Sequence, residues 1–273
     1  MKDLTFLLPC RIESQDRLRN VVTSVTYLLR NFPESKVIIK EVDTYSHFKF
    51  IAYPTISNYV DTSNLTHIFE DSTEKFFHKT RILNDLLVAS DTEIVYNHDV
   101  DIVLPVSSYQ SAYQDILSGN VDAVYPFGCG VYQWAVNYSE SAFNKFLDSG
   151  FNFSVLDDCK FRVASSVGWG QMIKRQTEID IGLWNENFLS WGAEDCEFYF
   201  RLNSFGCRVG RVNSDVYHFE HSRTFNSHYH NPKFQDNHNL WQNIRTWGPP
   251  KLKEYYEQQS YIQERRNQLN VSV

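Results

Sequence analysis

Three short segments hold residues whose types and spacing suit chemistry on a polar ligand. In the first, NHDVDIV, Asp99 and Asp101 stand two residues apart after an apolar run. In an extended chain residues i and i+2 point to one side, so both carboxylates can face one ligand or cation. Carboxylates held that close raise each other's pKa unless donors or a cation compensate, and a hard divalent metal does so. The second segment, FLSWGAEDCEFYF, sets Trp191 and Gly192 before Glu194 and Asp195, two acids that open a helical pattern. Acids there commonly just complement the helix dipole, by roughly 0.3 to 1 kcal/mol each. The functional reading is that one of them accepts a proton, its basicity lifted by its acidic neighbour and a Trp-shielded pocket. The third, YHFEHSRTFNSHYHNPKFQDNH, has His218 and His221 three apart. On a continuous strand these would face opposite ways, so joint ligation requires a turn between them. Imidazoles with a carboxylate suit Mn, Zn, Fe or Co better than Ca, although a His-rich polar stretch also reads as a surface loop.

The elements that must position these residues alternate in type. LTFLL (4–8) reads as a buried strand and SQDRLRNVVTSVTYLLRN (14–31) as a helix, with Ser14 as its cap. KVII (36–39) is a second strand, EKFFHKTRILNDLLVAS (74–90) a helix, and EIVYNHDVDIVL contains a third strand. SSYQSAYQDILSG (107–119) is helical with Gly119 as its stop, VDAVYP follows as a strand, and the helix opened by Glu194 closes at Gly206. This alternation predicts a largely parallel α/β sheet. Ligands of such sheets sit outside the carboxyl ends of the strands, where Asp99 and Asp101 fall.

Composition narrows the function classes. A chain of 273 residues, 42% hydrophobic and 15% aromatic, can bury a large core, and no low-complexity tract divides it. The net charge of −7 argues against a nucleic-acid backbone as main partner. The N-terminal apolar run is too short for a signal or a membrane span, so a cytoplasmic protein is expected. Cys10, Cys129, Cys159, Cys196 and Cys207 are scattered and never in a CxxC pair, which disfavours a disulfide framework or thiolate zinc site.

In combination, DVD, then WGAED, then HSR with NPKF downstream resemble the GT-A fold glycosyltransferases of the β-1,4-galactosyltransferase group over roughly residues 4–238. That resemblance implies a Rossmann-like, mostly parallel α/β domain over 1–240, with 241–273 as a peripheral C-terminal extension. It implies Asp195 as catalytic base, with Glu194 and Trp191 at the acceptor sugar. Asp101, His218 and His221 would hold Mn²⁺ or Mg²⁺. Pro9, Arg11, Asp99 and Asp101 would meet the nucleotide sugar, and Lys79 and Arg81 its diphosphate. The implied activity is inverting transfer of a hexose or N-acetylhexosamine from a UDP-sugar to a glycan or glycoconjugate acceptor. The small residues VASSVGWG (163–170) lie near where the group contacts the sugar, leaving room for GalNAc or GlcNAc. Two departures stand out. The group's Glu-Asp-Asp-Asp is Glu194-Asp195-Cys196-Glu197 here, which alters the acceptor side, and His218 replaces a methionine ligand.

Two other readings compete. A metal-dependent hydrolase or nucleotidyltransferase would use the same Asp and His set, but Trp191 as a sugar platform argues against it. A nucleotide-sugar or glycan-binding module on an inactive fold would have no need of Asp195. The aromatic and basic residues beyond 240 suit a docked terminal helix best, with a peripheral membrane contact as the alternative.

Overall fold

The structure, a computed structural model, describes residues 1–137, 139–164 and 166–269. In chain order the elements are β1 (Leu4–Cys10), α1 (Gln15–Asn31), β2 (Lys36–Asp43), α2 (Tyr53–Ser57), β3 (Leu65–Asp71), α3 (Lys79–Ala89), β4 (Ile94–His98), β5 (Ile102–Val103), α4 (Val106–Leu117), β6 (Ala123–Tyr125), β7 (Gln133–Val136), α5 (Glu140–Asp148) and β8 (Lys160–Arg162). They continue with β9 (Gly170–Lys174), α6 (Arg175–Asp180), α7 (Glu194–Ser204), β10 (Val209–Arg211), β11 (Val216–Phe219), α8 (Phe234–Ile244), α9 (Pro249–Glu257) and α10 (Ser260–Gln268).

Seven strands form the main sheet in the order β10-β6-β9-β4-β1-β2-β3, parallel except for β9, which runs antiparallel to both neighbours. β1 shows how the sequence builds it. Leu4, Phe6, Leu8 and Cys10 enter the core on one face, while Leu7 enters a second core on the other. A strand buried on both faces needs a continuous apolar run, and LTFLL is one. The first core is shared with α1 and α4, the second with α3, α6 and α7. A smaller sheet, β5-β11-β7-β8, packs against the first core.

The expected third strand is two strands in two sheets. β4 ends at His98 in the main sheet, and β5 pairs antiparallel with β11 in the small one. Residues 99–101 form the turn between them. The Asp99 N–H donates to Trp169 O and the Asp101 carbonyl accepts from Phe219 N–H, so each acid is fixed to a different sheet's margin. Both acids nonetheless line one cleft. β9 can begin directly beside β4 because Gly170 has no side chain: a Cβ there would lie 2.3 Å from Asn97 O.

The helix expected over 74–90 starts only at Lys79. Arg11 donates to the carbonyls of Glu74 and Lys75, and Asn226 donates to the Lys75 carbonyl while accepting from Phe77 N–H. Those carbonyls and that N–H are the groups a first helical turn would have used.

Candidate active site

Glu13 and the first turn of α1 hold the loop that carries the histidines. The Asp16 carboxylate accepts from both the N–H and the hydroxyl of Ser222, each at 2.6 Å. Glu13 accepts from Thr224 Oγ1 and Asn226 Nδ2, and Asn20 donates to Phe219 O. The chain leaves β11 at Phe219 under these tethers and bends, which turns His221 back toward His218. Both then face Asp101: His221 Nε2 lies 3.3 Å and His218 Nε2 3.7 Å from Asp101 Oδ2.

These three residues can hold a metal ion, since one donor atom from each lies within 4.8 Å of the others. The surrounding bonds fit that use. His218 Nδ1 is 3.1 Å from Glu220 Oε1 and His221 Nδ1 is 3.0 Å from Ser222 O, acceptors that suit a ring donating through Nδ1 and leave Nε2, beside Asp101, as the atom that would meet a metal. Asp101 Oδ1 is buried with no hydrogen-bond partner, an acceptor left for a cation. The His218 ring is backed by Trp169, stacked at 5.5 Å.

Glu194 and Asp195 line the same cleft as Asp101, His218 and His221. The loop ahead of them is tightly wound: Ser190, Gly192 and Ala193 all have positive φ, at 64°, 129° and 68°. This winding leaves Trp191 38% exposed at the rim, stacked on Phe234 of α8 at 5.4 Å. Glu194 Oε2 accepts from the Gly192 N–H at 3.0 Å. Burial and the adjacent Asp195 charge push the Glu194 carboxyl up to about 7. Asp195 Oδ2 points at Gly168, where a Cβ would sit 2.7 Å from it.

The cleft also takes in Pro9, Arg11, Lys79, Asp99, Ser166, Gly168 and Trp169, so part of 163–170 does line it; Ser165 lies outside the described residues. Arg11 is on the wall, but its Nε, NH1 and NH2 donate to Val42 O, Lys75 O and Glu74 O. Lys79 is likewise present but engaged: its ammonium lies 3.0 Å from Asp99, 3.5 Å from Asp195 and 3.9 Å from Glu194. Burial disfavours its charge, and the three acids more than restore it. Arg81 is not brought to the cleft. It lies two residues from Lys79 on another face of α3, bonded to Glu70 at 2.7 Å and facing Asp85 at 3.6 Å. Glu197, expected to alter the acceptor side, also turns away. It is buried with Arg201 and the Tyr256 hydroxyl, and of the two departures in that segment only exposed Cys196 keeps to the surface.

Arg17, Gly168 and Glu220 are functional candidates that the motifs did not mark. Glu220 adjoins the HSR motif and had a sequence signal in its i+2 relation to His218. Gly168 had none beyond the run of small residues.

A family described as the N-terminal domain of galactosyltransferase matches residues 151–224, the stretch holding WGAED and HSR. No curated protein is significantly similar in sequence. Solved structures are similar in fold at low identity. A mannosyltransferase from Pyrobaculum calidifontis, in complex with GDP-Man and Mn²⁺, shares 16% identity at a TM-score of 0.56 over 95% of this chain and 69% of its own. GalNAc-T7 with UDP, GalNAc and Mn²⁺ shares 12% at 0.64, over 98% of this chain and 55% of its own. The catalytic domain of Drosophila β1,4-galactosyltransferase 7, in complex with xylobiose, shares 13% at 0.50, over 90% and 82%. This chain thus spans little more than half of the GalNAc-T7 structure. Its architecture is the GT-A fold of those glycosyltransferases, and the matched segment resembles the galactosyltransferase group.

Proposed function

We propose that this protein is an inverting, metal-dependent glycosyltransferase that moves a hexose or N-acetylhexosamine from a UDP-sugar to a sugar hydroxyl of a glycan or glycoconjugate. The observation that carries this reading is the pairing within one cleft of an Asp101–His218–His221 donor set with an acidic helix start under an aromatic rim. Mn²⁺ or Mg²⁺ on that donor set would act as a Lewis acid, neutralising charge that builds on the diphosphate. Asp101, His218 and His221 orient that end of the donor, while Pro9 and Asp99 border the nucleotide sugar. Trp191 offers an apolar ring for the acceptor sugar to stack on, and Glu194, protonated near neutral pH, can donate a hydrogen bond to an acceptor oxygen. Asp195, in the cleft wall with Oδ2 beside Gly168, takes the proton of the attacking hydroxyl. The bond from acceptor oxygen to anomeric carbon forms as the carbon–phosphate oxygen bond breaks, and attack from the opposite face inverts that carbon.

The three C-terminal helices belong to this reading as part of the same folded unit, since a boundary at 240 falls inside α8. The deciding experiment is a screen of UDP- and GDP-sugars with and without Mn²⁺, reading nucleotide release and the product's anomeric configuration by NMR. Metal-dependent release of UDP with an inverted product is expected. Asp195→Asn should then lose about 10² to 10⁴ in rate at unchanged donor affinity. No release from any donor, or a retained configuration, would refute the proposal.

A further inference from the structure

The cleft's only described ion pairs to Asp99, Glu194 and Asp195 all come from one side chain, Lys79. It stands at the start of α3, between the strand end that bears Asp99 and the helix start that bears Asp195, and it is half-buried in the cleft wall. An ammonium in that position has a geometric task already. It bridges the donor-facing margin of the sheet to the acceptor-facing helix and compensates carboxylates that would otherwise repel one another. Leaving them to meet a diphosphate would remove the one described cation that pairs with Asp99 and Asp195.

We propose that Lys79 is the positioning residue of the base, holding the Asp195 carboxylate through Oδ1, and is not a ligand of the donor diphosphate. This rests on the assignment of Asp195 as base in the proposed function. With Oδ1 turned to Lys79 at 3.5 Å, the second oxygen lies beside Gly168 on the wall of the same cleft. Lys79 also lies 3.0 Å from Asp99, so the base's position is tied to the acid at the strand end beside the metal-type donor set. The same cation thus couples the two halves of the cleft.

The test compares the parent with Lys79→Met and Lys79→Arg. The carboxyl-¹³C signal of Asp195, assigned from Asp195→Asn, is recorded by NMR at one fixed pH without metal, and calorimetry with Mn²⁺ gives UDP affinity. The Asp195 signal is expected to move in Lys79→Met and to return toward the parent position in Lys79→Arg, with UDP affinity within about threefold throughout. In active enzyme kcat falls in Lys79→Met and recovers in Lys79→Arg while the donor KM holds. An unmoved Asp195 signal, or a loss of UDP affinity of about tenfold or more, overturns the proposal. If Lys79→Met does not fold, Lys79→Gln is read against the same criteria. Failure of the parent to transfer sugar refutes the functional reading alone, because the carboxyl signal still reports on Lys79.

Discussion

At the residue scale the donor set is defined by what lies behind each side chain. His218 presents Nε2 because Glu220 occupies Nδ1, and its ring is held flat by Trp169. An imidazole is a stronger σ-donor than the thioether found at this place in the galactosyltransferase group, so His218→Met should weaken Mn²⁺ binding and narrow use of Mg²⁺ and Co²⁺. Trp169 supplies the readout: Mn²⁺ added with UDP should quench its fluorescence at higher concentration in the variant than in the parent. An identical metal profile would remove His218 from the ligand set. Gly168 offers a second test. Alanine there would place a methyl within 2.7 Å of Asp195 Oδ2 and 3.2 Å of Ser166 Oγ, displacing the base without touching the core. Gly168→Ala should cost about 10² in kcat at unchanged Tm, the scale of a misplacement near 1 Å; full activity would show that Oδ2 does not face the acceptor. The motif residues were legible because Asp, His and Trp announce chemistry by type. Lys79 and Arg81 were not separable by type, since two cations in one helical turn look alike until the helix turns one to the cleft and the other to Glu70.

At the element scale strand and helix types could be read from periodicity, but their ends could not. The β4 run was visible as apolar residues, yet its break at Asp99 depends on Trp169 O and Phe219 N–H, which are 70 or more residues away in the chain. The late start of α3 likewise depends on Arg11 and Asn226 capturing backbone groups from a distance. Ser14 reads as the cap of α1 and is, but Asp16 in the first turn clamps Ser222, a use no local pattern reveals. α6 carries a related feature. Glu178 is fully buried and accepts from Asn97 Nδ2 of β4 at 2.7 Å, and burial pushes its carboxyl up to about 7. A folded-state pKa above the unfolded value means the native state binds more protons between about 4.5 and 7, so stability falls as pH rises through that window. Glu178→Gln keeps the acceptor and cannot ionise. It should therefore gain on the parent from pH 5 upward, reaching about 3 kcal/mol by pH 8 at 1.36 kcal/mol per unit. Urea unfolding at pH 5 and pH 8 checks this, and parallel pH dependences of the two proteins would contradict it.

At the scale of the whole molecule the C-terminal helices and the cleft share a foundation. α7 begins with Glu194 and Asp195 and carries Glu197 and Arg201 on its buried side, 3.0 Å apart as an ion pair. Tyr256 of α9 closes that pair, donating its hydroxyl to Glu197 and lying under the Arg201 guanidinium at 4.1 Å from its ring centre. Leu252, Ile262 and Ile244 fill the space around it with Phe188, and Arg265 of α10 reaches Asp85 of α3 at 2.6 Å. The terminal helices thus brace both α7, which bears the candidate base, and α3, which bears Lys79. Nothing in EYYEQQSYIQERR marks Tyr256 among its neighbours, because its partner Glu197 reads as one acid in an acidic helix start. The arrangement makes a graded prediction. Tyr256→Phe removes one charge-assisted hydrogen bond but leaves Arg201 opposite Glu197, and should cost about 1.5 to 3 kcal/mol. Arg201→Met leaves Glu197 buried without its counter-ion and should cost about 3 to 5 kcal/mol. Adding Glu197→Gln to Arg201→Met removes the stranded charge, so the double variant should be more stable than Arg201→Met alone. Urea midpoints of the four proteins measure the coupling directly. Equal losses in Tyr256→Phe and Arg201→Met, or a double variant no better than the single, would show that the helices are held by the apolar cluster alone and that Glu197 contributes nothing to their docking.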